Sequence, residues 1–178
     1  MKELINIFFV LLFISCNYNP QKSSDSRDNN TTDLIEVDKS QIAILKYDTI
    51  QSCIFKNGIT TNLSDNDLMI IEKNIRKCTS EHNLIQIKEF NRLDSINPNL
   101  NLDLNNFKIE LERYKRQYMP IINNQGEKIV WINFFCNEYD IDWKNEIVFV
   151  MDGGNCYFQL KVNLDKDNYF DFWVNGDA

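Results

Sequence analysis

The chain has 178 residues, a formal net charge of −7, 43% hydrophobic and 12% aromatic residues. The acidic balance argues against nucleic acid and anionic lipid surfaces as ligands, while the apolar fraction suffices for one packed domain. One His is present, and no Gly-rich phosphate loop, Ser nucleophile elbow or Cys-x-x-Cys pair occurs, so a non-enzymatic chain without cofactor or metal is expected.

In chain order, Lys2 precedes an apolar run from Leu4 to Ile14, broken only by Asn6 and ending in Phe13-Ile14-Ser15-Cys16. This run is too short for the ~20 residues of a membrane-spanning helix. It suits a secretion signal closed by a lipobox, although Glu3 dilutes its positive start and Phe13 stands where Leu is usual. Residues 1–15 are expected to be removed, and Cys16 to be acylated and become the new N-terminus. Buried acyl methylenes contribute about 0.8 kcal/mol each, so a multiply acylated Cys16 anchors stably. Asn17 is not the Asp that retains some lipoproteins at the inner membrane, which points to the outer membrane.

Residues 16–40 are polar and gain too little apolar burial to order themselves. They read as a flexible tether with a reach of roughly 25–30 Å. One domain is expected over 41–178. Ile42, Ile44, Leu45, Tyr47 and Ile50 suggest a strand, and Cys53-Ile54-Phe55 a second, ended by Asn57-Gly58. Ser64 and Asp67 form a capping-box pair, flanked by Leu63 and Leu68 at hydrophobic-staple positions. Leu68, Ile71, Ile75 and Cys78 follow as one apolar stripe. A helix is therefore expected from Asp65 to about Glu81, lying on a sheet with Cys78 buried.

Leu84, Ile85 and Ile87 fit either a strand or a longer helix, and 97–106 reads as an Asn- and Asp-rich loop. Leu111–Ile122 and Lys128–Cys136 then flank the hairpin turn Asn123-Asn124-Gln125-Gly126. Further strands are expected at Ile147–Met151, Cys156–Leu164 and Tyr169–Val174. The fold class is thus α+β: one main helix packed on an antiparallel β-meander of about five strands, cystatin-like by element order alone. The abundance of Asn fits an AT-rich genome better than a structural demand.

With Cys16 used by lipid, Cys53, Cys78, Cys136 and Cys156 remain as disulfide partners or buried thiols, with three connectivities open. In a simple meander Cys136 and Cys156 sit at opposite ends of an intervening strand, so bridging them requires a different strand order. A bridge from Cys78 to a strand Cys is equally allowed.

Asp152-Gly153-Gly154-Asn155 offers a Gly pair beside polar side chains, yet lacks the ligand spacing of a calcium loop and reads as a turn. Glu138, Asp140 and Asp142 alternate with Tyr139, Ile141 and Trp143 and suit a solvated edge better than paired catalytic carboxylates. Arg113, Lys115 and Arg116 form a small basic cluster that fits either an anionic partner or a strand face of mixed charge. His82 has no companion ligands at zinc spacing and is expected in solvent or at a helix end. Trp131, Trp143 and Trp173 are expected in the core of the sheet.

The run Tyr114-Lys115-Arg116-Gln117-Tyr118, then Trp131-Ile132-Asn133, Phe135-Cys136, Asp152-Gly153-Gly154-Asn155-Cys156 and Val174-Asn175-Gly176, resembles an uncharacterised family of small lipoproteins from Flavobacterium-like Bacteroidetes. The likeness covers roughly residues 60–178 and the lipobox. It implies export and a compact α+β domain, and carries no catalytic residues over. The expected function is a membrane-anchored binding or accessory module with a protein partner. An envelope inhibitor or immunity-like protein is the alternative, ahead of a small hydrolase using the carboxylates at 138–142.

Overall fold

The computed structural model describes residues 38–48, 53–137 and 140–176. The expected signal segment, Cys16 and most of the expected tether lie outside the described residues. The elements are β1 (Ile42–Ile44), β2 (Ile59–Thr60), α1 (Asp65–Ile96), β3 (Lys115–Ile122), β4 (Lys128–Phe135), β5 (Tyr157–Asn163) and β6 (Asn168–Val174). Together they make an α+β domain, one long helix on a six-stranded sheet ordered β1-β3-β4-β5-β6, with β2 paired to β3.

The sheet is mixed. Strands β3 to β6 form an antiparallel meander of four strands, without the expected strand at Ile147–Met151, and β1 runs parallel to β3, Ala43 opposite Gln117. A parallel pair needs a crossover of a dozen or more residues, and α1 lies in the connection. Residues 38–40, expected in the tether, join a 3-10 turn at Lys39–Gln41, and Lys39 reaches Asp65 at 2.8 Å.

The helix starts where the capping box places it. Ser64 Oγ accepts from Asp67 N–H at 3.2 Å, and Asp67 Oδ2 accepts from Ser64 N–H at 2.7 Å. Leu68, Ile71, Ile75 and Cys78 are buried against the sheet as the stripe requires. The helix does not stop near Glu81: it continues to Ile96 and stops before Pro98, which disfavours helical backbone in the residue before it. At 1.5 Å per residue it is about 48 Å long, and its second half carries exposed Leu84, Ile85 and Ile96.

Strand alternation divides the sheet into two faces. The helix face gathers Tyr118, Ile132, Phe134, Phe158 and Leu160 around the α1 stripe, with Phe134 and Phe158 stacked at 4.0 Å. Truncating either ring is expected to cost about 3–5 kcal/mol. Glu72, 2% exposed, pairs with Arg116 between helix and sheet, and the Tyr118 hydroxyl donates to Glu72 at 3.5 Å. The opposite face packs Met119, Ile121, Trp131, Phe135 and Tyr157 against irregular chain that includes Leu45, Phe55, Trp143 and Val148.

Candidate functional site

On this second face the register aligns Gln117, Asn133, Gln159 and Trp173 in one row across four strands, and Met119, Trp131, Lys161 and Phe170 in the next. The expected strand at Ile147–Met151 is not paired with any strand among the described residues. It crosses the face of the sheet, held by side-chain amides. Gln117, fully buried, donates from Nε2 to the carbonyls of Trp143 and Glu146, both at 2.6 Å. Its Oε1 accepts from Val148 N–H at 3.0 Å and from Asn133 Nδ2 at 3.1 Å. Asn133 Nδ2 also donates to the Val148 carbonyl at 2.7 Å, and Asn175 Nδ2 to that of Val150 at 2.6 Å. Each of these backbone groups thereby meets the partner it needs without a neighbouring strand.

Because 147–151 is not a ladder strand, β4 pairs directly with β5 and the cysteine geometry changes. Phe135 lies opposite Tyr157, Cys136 N–H donates to the Cys156 carbonyl at 3.0 Å, and the two cysteines are disulfide-bonded with Cα atoms 5.0 Å apart. The different strand order that this bridge required is therefore present. Cys78 is a buried free thiol whose pKa is pushed up to about 12 by burial with help from Glu81, and Cys53 is an exposed free thiol. A bridge from Cys78 does not form.

Between the 147–150 segment and Cys53-Ile54 lies a groove of about 710 Å³, floored by Trp131, Gln159, Lys161 and Trp173. Trp131 Nε1 donates to Gln159 Oε1 at 2.6 Å, and Lys161 pairs with Asp171 at 3.1 Å beside the Phe55 ring. Phe149 (75% exposed), Met151 (80%) and Trp173 (63%) leave large apolar side chains in solvent on this part of the molecule. Such exposure, next to a concave apolar groove with a few polar groups, is what ligand and partner sites show.

The other candidate residues scatter. Trp131 and Trp143 are buried as expected, but Trp173 is not core: it sits exposed on edge strand β6. The basic cluster is divided by strand alternation, with Arg116 on the helix face, Lys115 over the Trp143 ring on the other, and Arg113 beside Glu110. Asp142 accepts from Asn145 in a local turn, and neither it nor Asp140 lines the groove; Glu138 lies outside the described residues. His82 is neither free in solvent nor at a helix end. It is half-buried within α1 against the Phe172 ring, and burial lowers its pKa.

Asp152-Gly153-Gly154-Asn155 leads into β5 and clasps neighbouring chain. Gly153 has φ +91, and a Cβ there would lie 2.7 Å from the Tyr157 ring. Asn155 Nδ2 donates to the carbonyls of Asn106 and Lys108, at 2.9 and 3.0 Å, so its polar atoms serve the fold.

No family model matches the chain, and neither curated proteins nor solved structures provide a match.

Proposed function

We propose that this chain is a lipoprotein of the bacterial cell envelope, anchored through Cys16 and favouring the outer membrane, that binds a protein partner without catalysing a reaction. The observation that carries this reading is the surface formed by the groove and by exposed Phe149, Met151 and Trp173. Aromatic residues and Met are enriched where proteins meet proteins. The carboxylates at Asp140 and Asp142 stand apart from that groove, which favours binding over the hydrolase reading. An inhibitor or immunity-like role is the form this reading takes when the partner is an envelope enzyme.

In-cell cross-linking of the tagged full chain, beside a Cys16→Ser version, tests it. A dominant partner captured by the anchored protein and lost in the variant is the expected result. Equal capture by both versions overturns the role of anchoring, and absence of any reproducible partner overturns the binding reading.

A further inference from the structure

From Val148 to Met151 burial alternates as in a strand, with Val148 buried, Val150 partly buried against the same core, and Phe149 and Met151 mostly exposed. Backbone N–H and C=O groups of alternate residues in an extended chain point to opposite edges. Val148 directs both of its groups, and Val150 its carbonyl, toward the amides of Gln117, Asn133 and Asn175. Ile147, Phe149 and Met151 must then direct theirs away, and among the described residues those groups have no hydrogen-bond partner. The molecule thus holds one edge of a strand with side chains and leaves the other edge open.

We propose that this open edge is a docking strip for an extended segment of the partner protein, apolar at alternate positions and basic at its ends. The inference rests on the reading of the chain as a binding module. A row of main-chain donors and acceptors is chemically complementary to another main chain, and this is how peptides add to sheet edges. The apolar requirement follows from Phe149 and Met151, which flank the edge.

The basic ends follow from exposed Glu146 and Asp152, which bracket the segment. They also argue against a second copy as the occupant. In an antiparallel pair centred on Phe149, Glu146 of each copy faces Asp152 of the other, and like charges directly opposite destabilise a sheet. The regular sheet edges are less suited: β1 is three residues long, and β6 is interrupted by a bulge at Asp171, with φ +51 and an exposed charge, a device that protects edges from pairing.

The test uses the full chain in its own envelope, with p-benzoylphenylalanine replacing Phe149, Met151 or Trp173 in separate proteins, followed by mapping of the cross-linked residues. The expected result is that positions 149 and 151 capture one partner segment, at sites two residues apart, with Lys or Arg at its ends. Phe149→Pro, which removes the outward N–H, should lower capture from position 173 at least tenfold, whereas Phe149→Leu lowers it less than threefold. Glu146→Lys with Asp152→Lys, both exposed and harmless to folding, should lower it at least fivefold. Capture from 173 but not from 149 or 151 overturns the docking edge while leaving the binding reading intact. Cross-links between two copies at 149, or from 149 to residues 17–37 of the same chain, overturn the proposed occupant. Equal effects of Pro and Leu, or no effect of the charge reversal, also overturn it. No capture from all three positions overturns the binding reading itself.

Discussion

Gln117 and Val148 are 31 residues apart, yet the side-chain amide of one meets the backbone of the other as a neighbouring strand would, with Val148 N–H on Gln117 Oε1 at 3.0 Å. The same amide holds the carbonyls of Trp143 and Glu146, so one buried side chain sets the path of the whole crossing segment. Gln117→Leu keeps the volume but leaves these buried groups without partners. It should lower unfolding free energy by about 3 kcal/mol, read by chemical denaturation, and speed hydrogen exchange selectively over 143–150.

The Cys136–Cys156 bridge closes the same segment, with its ends 20 residues apart in sequence. Closing a loop of that size restricts the unfolded chain by about 3 kcal/mol. Cys136→Ser with Cys156→Ser should therefore lower the thermal midpoint, and reducing agent should lower the wild-type midpoint to the same value while leaving the variant unchanged. Persistence of the full wild-type midpoint under complete reduction is the contrary result.

Glu72 and Arg116 are buried partners between helix and sheet. Glu72→Ala strands the guanidinium and should cost about 3–5 kcal/mol, whereas Glu72→Met with Arg116→Met should come within about 1 kcal/mol of wild type. Urea unfolding of the two variants beside wild type checks both values.

Partial burial of Asp67 works to raise its carboxyl pKa, but hydrogen bonds from Lys128 and from the Ser64 cap outweigh it and hold the group below its ordinary value. A depressed carboxylate contributes stability that is fully present above its unfolded pKa, about 4, and is lost as pH falls through the lower folded value. Asp67→Asn should thus lower the thermal midpoint at pH 7 and flatten its decline below about pH 4. An unchanged acid limb in the variant contradicts this assignment.

The two free thiols should separate under native alkylation. Cys53 is exposed, whereas Cys78 is buried with its pKa pushed up to about 12. Iodoacetamide at pH 8 should label Cys53 within minutes and Cys78 only after unfolding, as read by peptide mass spectrometry.

Much of the fold is legible in the sequence where the signal is local. The Ser64–Asp67 box, the stripe from Leu68 to Cys78 and the Asn123–Gly126 turn each act through residues a few positions apart, and the structure forms all three. The end of α1 is not legible in the same way. Leu84, Ile85 and Ile87 fit a strand pattern as well as a helix, and only continued hydrogen bonding up to Pro98 decides between them. The candidate site is least legible. Ile147–Met151 alternates as a strand does, but no local signal reveals that Gln117, Asn133 and Asn175 replace its partner. The abundance of Asn, read as compositional, includes side chains that clasp backbone: Asn83 brackets Ile109 through its N–H and C=O, both at 2.8 Å, as Asn133, Asn155 and Asn175 hold their own segments. Trp173 misleads for a related reason, since an indole on an edge strand has the same sequence pattern as one in the core.

If the groove side of the sheet, and not the apolar second half of α1, is the working surface, the two faces should respond differently to truncation. Quantitative co-purification of the proposed partner tests this most directly, comparing a triple variant at Phe149→Ala, Met151→Ala and Trp173→Ala with one at Leu84→Ala, Ile85→Ala and Ile96→Ala. All six side chains are exposed, so both proteins should keep near wild-type stability. At least a tenfold loss of the partner is predicted from the first variant, and less than a twofold loss from the second. Loss of the partner from the helix variant, with retention in the groove variant, contradicts a working surface on the groove side.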